Sequence, residues 1–480
     1  MRLVPMLLAA AVVATVHLPA AAAPPADGAA SASAAPAADT RIGDASMAVA
    51  ARLRETALAS SLAWDITESL PTEIGPRLAG SEADARAVEW AKAKFAELGF
   101  DRVWTEPVTF PKWVRRSESA EVLGAYAQPL AITALGGSPG GTVEADVVRF
   151  ADLAALEAAP AGSLSGRIAF VDYRMERARD GSGYGPGSRV RSRGPSAAVR
   201  AGAVGFLMRS AGTDSHRNPH TGITRFDEGL DPVPSAALSA PDADQLARLL
   251  ARGPVRLRLA LDCGWDGEYT SKNVIGEITG SSLPGEVVLI GAHLDSWDLG
   301  TGAVDDAAGV GITMAAAVHI AALERRPARS IRVVAFANEE QGLHGGRAYA
   351  ERHVSDIARH QLVAESDFGA GRIYGFNTSA PAHALGAEAR IAEALAPLGI
   401  EALDEGGPGP DLLAITRRGA AWAWLGQDGS DYFDLHHTPD DTLDKIAPAA
   451  LAQNTAAYAV FAYLAADAEG DFGSAPGEAP

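Results

Sequence analysis

A single cysteine, Cys263, in 480 residues rules out a disulfide within the chain, so the fold must rest on its apolar core and on any ions it binds. Its neighbours Leu261, Asp262, Gly264 and Trp265 supply no base that would activate a thiol, and Cys263 reads as structural. Basic residues are also scarce. With 41 Lys+Arg against 60 Asp+Glu the net charge is −19, which repels phosphate backbones and sets nucleic acid aside as a partner. The apolar run near the N-terminus, Leu7–Val16, is stopped by His17 and Pro19 and falls short of the roughly 20 residues that span a bilayer. Preceded by Arg2 and followed by Ala21, Ala22 and Ala23, it reads as a signal peptide over residues 1–23, and so as export to a periplasm or the extracellular space. Pro24–Thr40 is an Ala/Pro/Ser/Gly tether that cannot bury a core.

What remains is ordinary for a soluble globular protein, 47% apolar and 21% charged, with no internal repeat. Apolar spacing predicts helices over Met47–Glu68 and Ala83–Leu98, separated by the turn-rich Ile74–Ser81, and then a strand over Val103–Phe110. Residues 130–265 change character: short β-like runs at Val143–Phe150, Arg167–Val171, Val204–Met208 and Val255–Leu261, with a Gly/Arg/Ser-rich loop at Arg179–Arg200, predict an inserted domain. From Asn273 strands and helices alternate: strands at Val274–Ile278, Glu286–His293, Ser330–Ala337 and Gln361–Asp367, helices at Ala307–Glu324 and Gly345–His353. That order predicts an α/β fold, a mixed and largely parallel sheet sandwiched by helices, split as 41–129 and 266–468 around the insert, with a disordered tail at 469–480.

Chemistry-bearing residues gather at the carboxyl ends of those strands, where ligands of such sheets collect. His293 emerges from Val287–Ile290 with Asp295 two residues on, placed to hold its second ring nitrogen; a surface hydrogen bond is the plainer reading of that pair alone. Asp305 and Asp306 stand before an Ala-rich helix, where capping would explain them equally. Glu339 and Glu340 end the next strand and would repel unless cations or a proton intervene. Asp367 ends another strand, and His436 and His437 lie on a later loop. Carboxylates mixed with imidazoles suit Zn2+ or a similar first-row ion rather than Ca2+.

These motifs resemble those of the co-catalytic zinc aminopeptidase family, most closely its carboxypeptidase Q branch. The pieces are Ile74–Ser81, Pro219–Ile223, His293–Asp298, Asp305-Asp306, Glu339–Gly342, Glu365–Asp367, and His436-His437 followed by Asp441-Thr442. The resemblance implies two Zn2+ ions, one held by His293, Asp305 and Asp367 and the other by Asp305, Glu340 and His437, with a cis peptide between Asp305 and Asp306. It implies Glu339 as general base and acid, Asp295 as the group orienting His293, and either an oxyanion-donor or a plain structural role for His436. It further implies a short peptide substrate with a free N-terminus, a homodimer, and a protease-associated fold for the insert. Aminopeptidases and carboxypeptidases share this metal core, and some proteins of the fold bind without metal, so a carboxypeptidase, an amidohydrolase or acyl-cyclising enzyme, and a metal-free binding module are the alternatives. Within the insert, His220 reads as a satisfied loop histidine, with reach to the site as the second reading. Arg189, Arg191, Arg193 and Arg200 read as a solvated face rather than a carboxylate clamp, and His319, His344, His353 and His360 as surface or packing.

Overall fold

Two long strands, β1 (Arg102–Val122) and β8 (Arg256–Ile278), pair antiparallel along nearly their whole length and form the spine of an eleven-stranded sheet. The other strands are β2 (Gln128–Leu130), β3 (Ile132–Ala134), β4 (Gly141–Phe150), β5 (Arg167–Val171), β6 (Gly205–Arg209), β7 (Ser235–Leu238), β9 (Leu283–His293), β10 (Arg329–Phe336) and β11 (His360–Glu365). The C-terminal part of β8 pairs with β10, which continues through parallel neighbours β9 and β11. The N-terminal part of β8 pairs with β4, which continues through parallel β5, β6 and β7 to antiparallel β3. A mixed sheet therefore carries two parallel blocks joined by one antiparallel ribbon. A separate three-stranded sheet, β12 (Ile373–Thr378), β13 (Glu401–Ala402) and β14 (Ala423–Gln427), lies beyond it in sequence. The structure is a computed structural model and describes residues 39–473.

The block β9–β11 is apolar on both faces, as a helix-covered parallel sheet requires. One face packs with the helices Asp44–Leu58, Leu62–Glu73, Ala308–Ala321 and Pro448–Asp467 in the largest core, and Leu289, Val334, Phe336 and Tyr349 form a second core on the other face. Ala308–Ala321 is buried almost all round, which its small residues permit. At Gly309 a Cβ would come within 1.9 Å of the Ser366 carbonyl, so glycine is what lets this helix meet the end of β11. Residues of the 130–265 segment form one apolar cluster around Phe206 and share another, around Leu257, Leu259 and Ile168, with Leu78, Trp113 and Trp297.

Four expectations change. The helix expected over 47–68 breaks at Ala59–Ser61 into two. The segment 179–200, expected as a loop, is the helix Tyr184–Arg200 from Tyr184 on; Val190, Ala197 and Ala198 bury beside Phe206, and this tertiary burial outweighs the poor propensity of its Gly, Ser and Pro residues. The boundary drawn at 265/266 falls inside β8, and both β1 and β8 run through the insert half and the peptidase half alike. The tail is packed as far as it is described: Glu469 bridges Arg41, and Phe472 is fully buried with its N–H on Gln361. The expected signal peptide, the expected tether up to residue 38, and residues 474–480 lie outside the described residues.

Candidate metal centre

Three adjacent parallel strands deliver the site. β9 ends at His293, β10 runs into Asn338-Glu339-Glu340, and β11 runs into Ser366-Asp367. Asp305 and Asp306 sit in a single π-turn, Ala303–Ala307, with the peptide between them cis. His437 follows the short helix Tyr432–Leu435 in a left-handed conformation, φ 59°.

Asp305 stands between the two imidazoles and offers one oxygen to each. Its Oδ1 lies 2.8 Å from His293 Nε2 and its Oδ2 lies 3.2 Å from His437 Nε2. His293 Nε2 is also 3.5 Å from Asp367 Oδ1, and His437 Nε2 is 2.9 Å from Glu340 Oε2. Asp306 is different. Both its oxygens are taken by backbone N–H groups, those of His293 and Gly309, so it caps the helix and ties the helix to β9.

Each imidazole is held from behind by a carbonyl. His293 Nδ1 donates to the Asp295 backbone oxygen at 3.0 Å; the Asp295 carboxylate, expected to take this bond, is 3.7 Å away and accepts the Glu339 N–H instead. Asp295 thus orients His293 through its backbone and Glu339 through its side chain. His437 Nδ1 faces the Thr221 carbonyl at 3.4 Å, and the Thr221 N–H returns to the His437 carbonyl at 3.0 Å. Thr221 lies in the 130–265 segment. In both cases the Nε2 is left facing carboxylates.

The site is crowded with buried anions. Burial, followed by the nearby Asp367 carboxylate, holds Glu339 well above the usual carboxylate range. Burial raises Glu340 to about 7 and Asp411 and Asp441 to about 8. Asp305 alone goes the other way: burial would raise it, but His293 and His437 hold it well below. Burial would lower the imidazoles, yet Asp367 with Asp295 and Asp305 raises His293, and Glu340 with Asp305 raises His437. Glu340 Oε1 has no partner although it is buried. Ligand atoms of His293, Asp305 and Glu340 lie within 4.8 Å of one another, as do those of His293, Asp306 and Asp367. Mixed carboxylate and imidazole donors, an orphaned carboxylate oxygen and uncompensated negative charge fit a divalent first-row cation.

The sequence matches the model of peptidase family M28 over residues 273–462, the stretch that contains every one of these donors. Mouse carboxypeptidase Q is 33% identical over 398 residues, covering 82% of this chain and 83% of that protein. The chain belongs to peptidase family M28. Human carboxypeptidase Q is similarly related, 32% identical over 397 residues. The crystal structure of a peptidase M28 precursor from Shewanella amazonensis SB2B is 51% identical and superimposes with a TM-score of 0.86, covering 88% of this chain and 97% of that one. The zinc aminopeptidase BSAP from Bacillus subtilis shares the fold at 18% identity, TM-score 0.60, over 83% of this chain and 94% of that one. This peptidase is a zinc metallopeptidase, and its donor set fits that metal.

In the M28 peptidase the residues singled out from sequence come together at one place: His293, Asp305, Glu340, Asp367 and His437, with Glu339 and Asp295 beside them and His436 stacked on Tyr432 at 4.4 Å. Two readings of the insert are overturned. His220 is not a satisfied loop residue: it is 1% exposed and neither ring nitrogen has a partner. Arg191 is not on a solvated face: it is buried beneath the 220–223 loop, donating to the Tyr184 hydroxyl and the Thr221 carbonyl. Arg193 and Arg200 do pair at the surface, with Glu157 and Asp227.

Two supporting residues carried no role in the sequence reading. Asp411 closes the acidic side with Oδ1 on the Gly346 N–H, and its Gly-Pro-Gly-Pro-Asp context signals only a turn. Arg77, fully buried, forks onto the carbonyls of Leu294, Thr301 and Gly302 and so secures the loop between His293 and Asp305. Cys263 is buried against the Ser138 carbonyl and its thiol is pushed by burial up to about 11, which leaves no thiolate for catalysis near neutral pH.

Proposed function

We propose that this protein is an exported, dizinc exopeptidase that cleaves dipeptides and short peptides from a free amino terminus. The observation that carries the reading is the division of Asp305 between two imidazoles, each with a second carboxylate of its own. His293, Asp305 and Asp367 would hold one ion, and Asp305, Glu340 and His437 the other. Bound there, two zinc ions would polarise the scissile carbonyl and lower the pKa of the attacking water. Glu339 would take that water's proton and pass it to the leaving amine. Asp295 fixes the Glu339 backbone for this shuttle. A cleft of about 230 Å³ beside Asp367, lined by Asp180, Glu365, Tyr374 and Trp424, has room for a single side chain and an acidic wall suited to an ammonium terminus.

The likeness to carboxypeptidase Q supports a second reading, removal of residues from the carboxyl end. Free dipeptides, N-acetylated dipeptides and longer peptides separate the two. The first reading expects free dipeptides to be cleaved, N-acetylated ones spared and longer peptides trimmed from the N-terminus. Trimming from the C-terminus, with N-acetylation tolerated, would establish the second. Glu339→Gln should keep its zinc, by elemental analysis, while kcat falls about 10²- to 10⁴-fold. Near-normal turnover in that variant would remove Glu339 from the proton path.

A further inference from the structure

The insert sends the loop 219–225 across the metal centre, and this loop carries a histidine with nothing to do in the fold. Thr221 is bolted to His437 by its N–H on the His437 carbonyl and its carbonyl on the His437 Nδ1, and to the Ala134 carbonyl by its hydroxyl, and Arg225 donates to the Gln341 carbonyl. His220 is therefore held in a fixed position. Its ring centroid lies 4.7 Å from that of His436 and 4.9 Å from that of His437, and ring nitrogens of all three lie within 4.8 Å of one another.

Both nitrogens of His220 and Nδ1 of His436 are buried without a partner, in residues 1% and 3% exposed. Packing would account for an apolar ring here, since Tyr184, Phe433 and Tyr432 surround the pair, but it does not account for imidazoles. A buried donor left unpaired is costly, and such groups are rarely kept without a ligand or a role. Among the described residues no carboxylate hydrogen-bonds to either ring, unlike His293 and His437, and the nearby charge on the insert side is the Arg191 guanidinium, which lies over Tyr184 at 5.6 Å. Two imidazole N–H donors this close, beside the ligands, match one anionic oxygen group between them.

We propose that His220 and His436 form a paired imidazole clamp for an anionic oxygen of the substrate, which makes the insert a contributor to the active site rather than a cover for it. The inference rests on the peptidase reading above. That oxygen is either the oxyanion developing at the scissile carbonyl or the free carboxylate of the leaving residue, and the two are separable.

The test uses the zinc-loaded full-length enzyme with His220→Ala and His220→Gln, assayed on a dipeptide and on its C-terminal amide, with calorimetric binding of a phosphinic dipeptide as a readout independent of turnover. The expected result is unchanged zinc content and thermal midpoint, with kcat/KM of His220→Ala down about 10- to 100-fold and partly restored in His220→Gln, which keeps an N–H. A loss in kcat shared by acid and amide, with phosphinate binding weakened by the same factor, identifies the oxyanion. A rise in KM confined to the acid identifies the carboxylate. The proposal is overturned if both variants match wild type in turnover and phosphinate binding, or if wild type holds a third zinc that His220→Ala loses. Failure of the wild type to cleave either dipeptide would count instead against the peptidase specificity, and the phosphinate measurement would still decide the clamp.

Discussion

Asp305 and Asp306 show how far one residue can be read alone. Adjacent aspartates before an Ala-rich helix admit a capping role and a metal role, and the chain uses both: Asp306 spends its oxygens on backbone N–H groups, while Asp305 points both of its own at imidazoles. Nothing local distinguishes them; the difference is set by where β9 and the His437 loop arrive. His360 shows the same dependence on surroundings. Its ring is fully enclosed between the Tyr349 hydroxyl and the Asp356 carbonyl, and burial, with Arg332 nearby, pushes its pKa down to about 4. The unfolded chain then binds a proton near pH 6.5 that the folded chain refuses until about pH 4, so stability is full above the first value and falls as pH drops towards the second. The difference amounts to at most about 3 kcal/mol. His360→Gln, which can hydrogen-bond but does not titrate, should lose stability relative to wild type at pH 7.5 and recover most of the gap at pH 5, by urea unfolding. An equal gap at both values would show that His360 protonates as freely folded as unfolded.

At the level of elements, the strands that carry the donors were legible because their apolar runs are continuous and the acids follow directly: Glu286–His293 and Ser330–Ala337 differ from β9 and β10 by one to three residues at an end. The helix Tyr184–Arg200 was not, because three glycines and Pro195 disguise a segment whose helicity comes from burial against β6. The spine was half legible: of β1 only Val103–Phe110 was seen, and of β8 only its two ends, since Gly264 and Gly267 and the polar residues that follow interrupt the alternation that would join those ends. Nor could the turn before Glu82 announce its work. Arg77, within it, satisfies three carbonyls of a loop more than 200 residues away, and at one of them, Gly302, φ is +64° and a Cβ would sit 2.5 Å from the guanidinium. Lysine keeps the charge but concentrates its donors on one atom and cannot span the three. Arg77→Lys should cost about 2–4 kcal/mol in unfolding free energy and release zinc during dialysis that wild type survives. Full zinc retention would mean that the 294–302 loop holds its shape without the fork.

Across the whole molecule, negative charge concentrates at the site. A chain already at −19 buries Asp305, Asp306, Glu340, Asp411 and Asp441 in one region, with Glu339 and Asp367 at its edge, and the fully buried cation beside them is Arg77. Burial alone would leave His293 and His437 neutral, but the surrounding carboxylates raise both well above the ordinary imidazole value, which favours protonated rings in the metal-free site. Zinc binds only the deprotonated nitrogen and must displace those protons. Two consequences follow from the same balance. Stripping the metal with a chelator should lower the thermal midpoint, since zinc at 1,000 times its Kd adds about 4 kcal/mol to the folded state. Zinc uptake near pH 7 should also release protons, seen as an apparent binding enthalpy that changes with the ionisation heat of the buffer, and affinity should rise with pH as the two imidazolium groups lose their protons in solution. An uptake enthalpy identical in phosphate-free buffers of low and high ionisation heat would show that His293 and His437 are already neutral, and that some other cation balances the carboxylates before metal arrives.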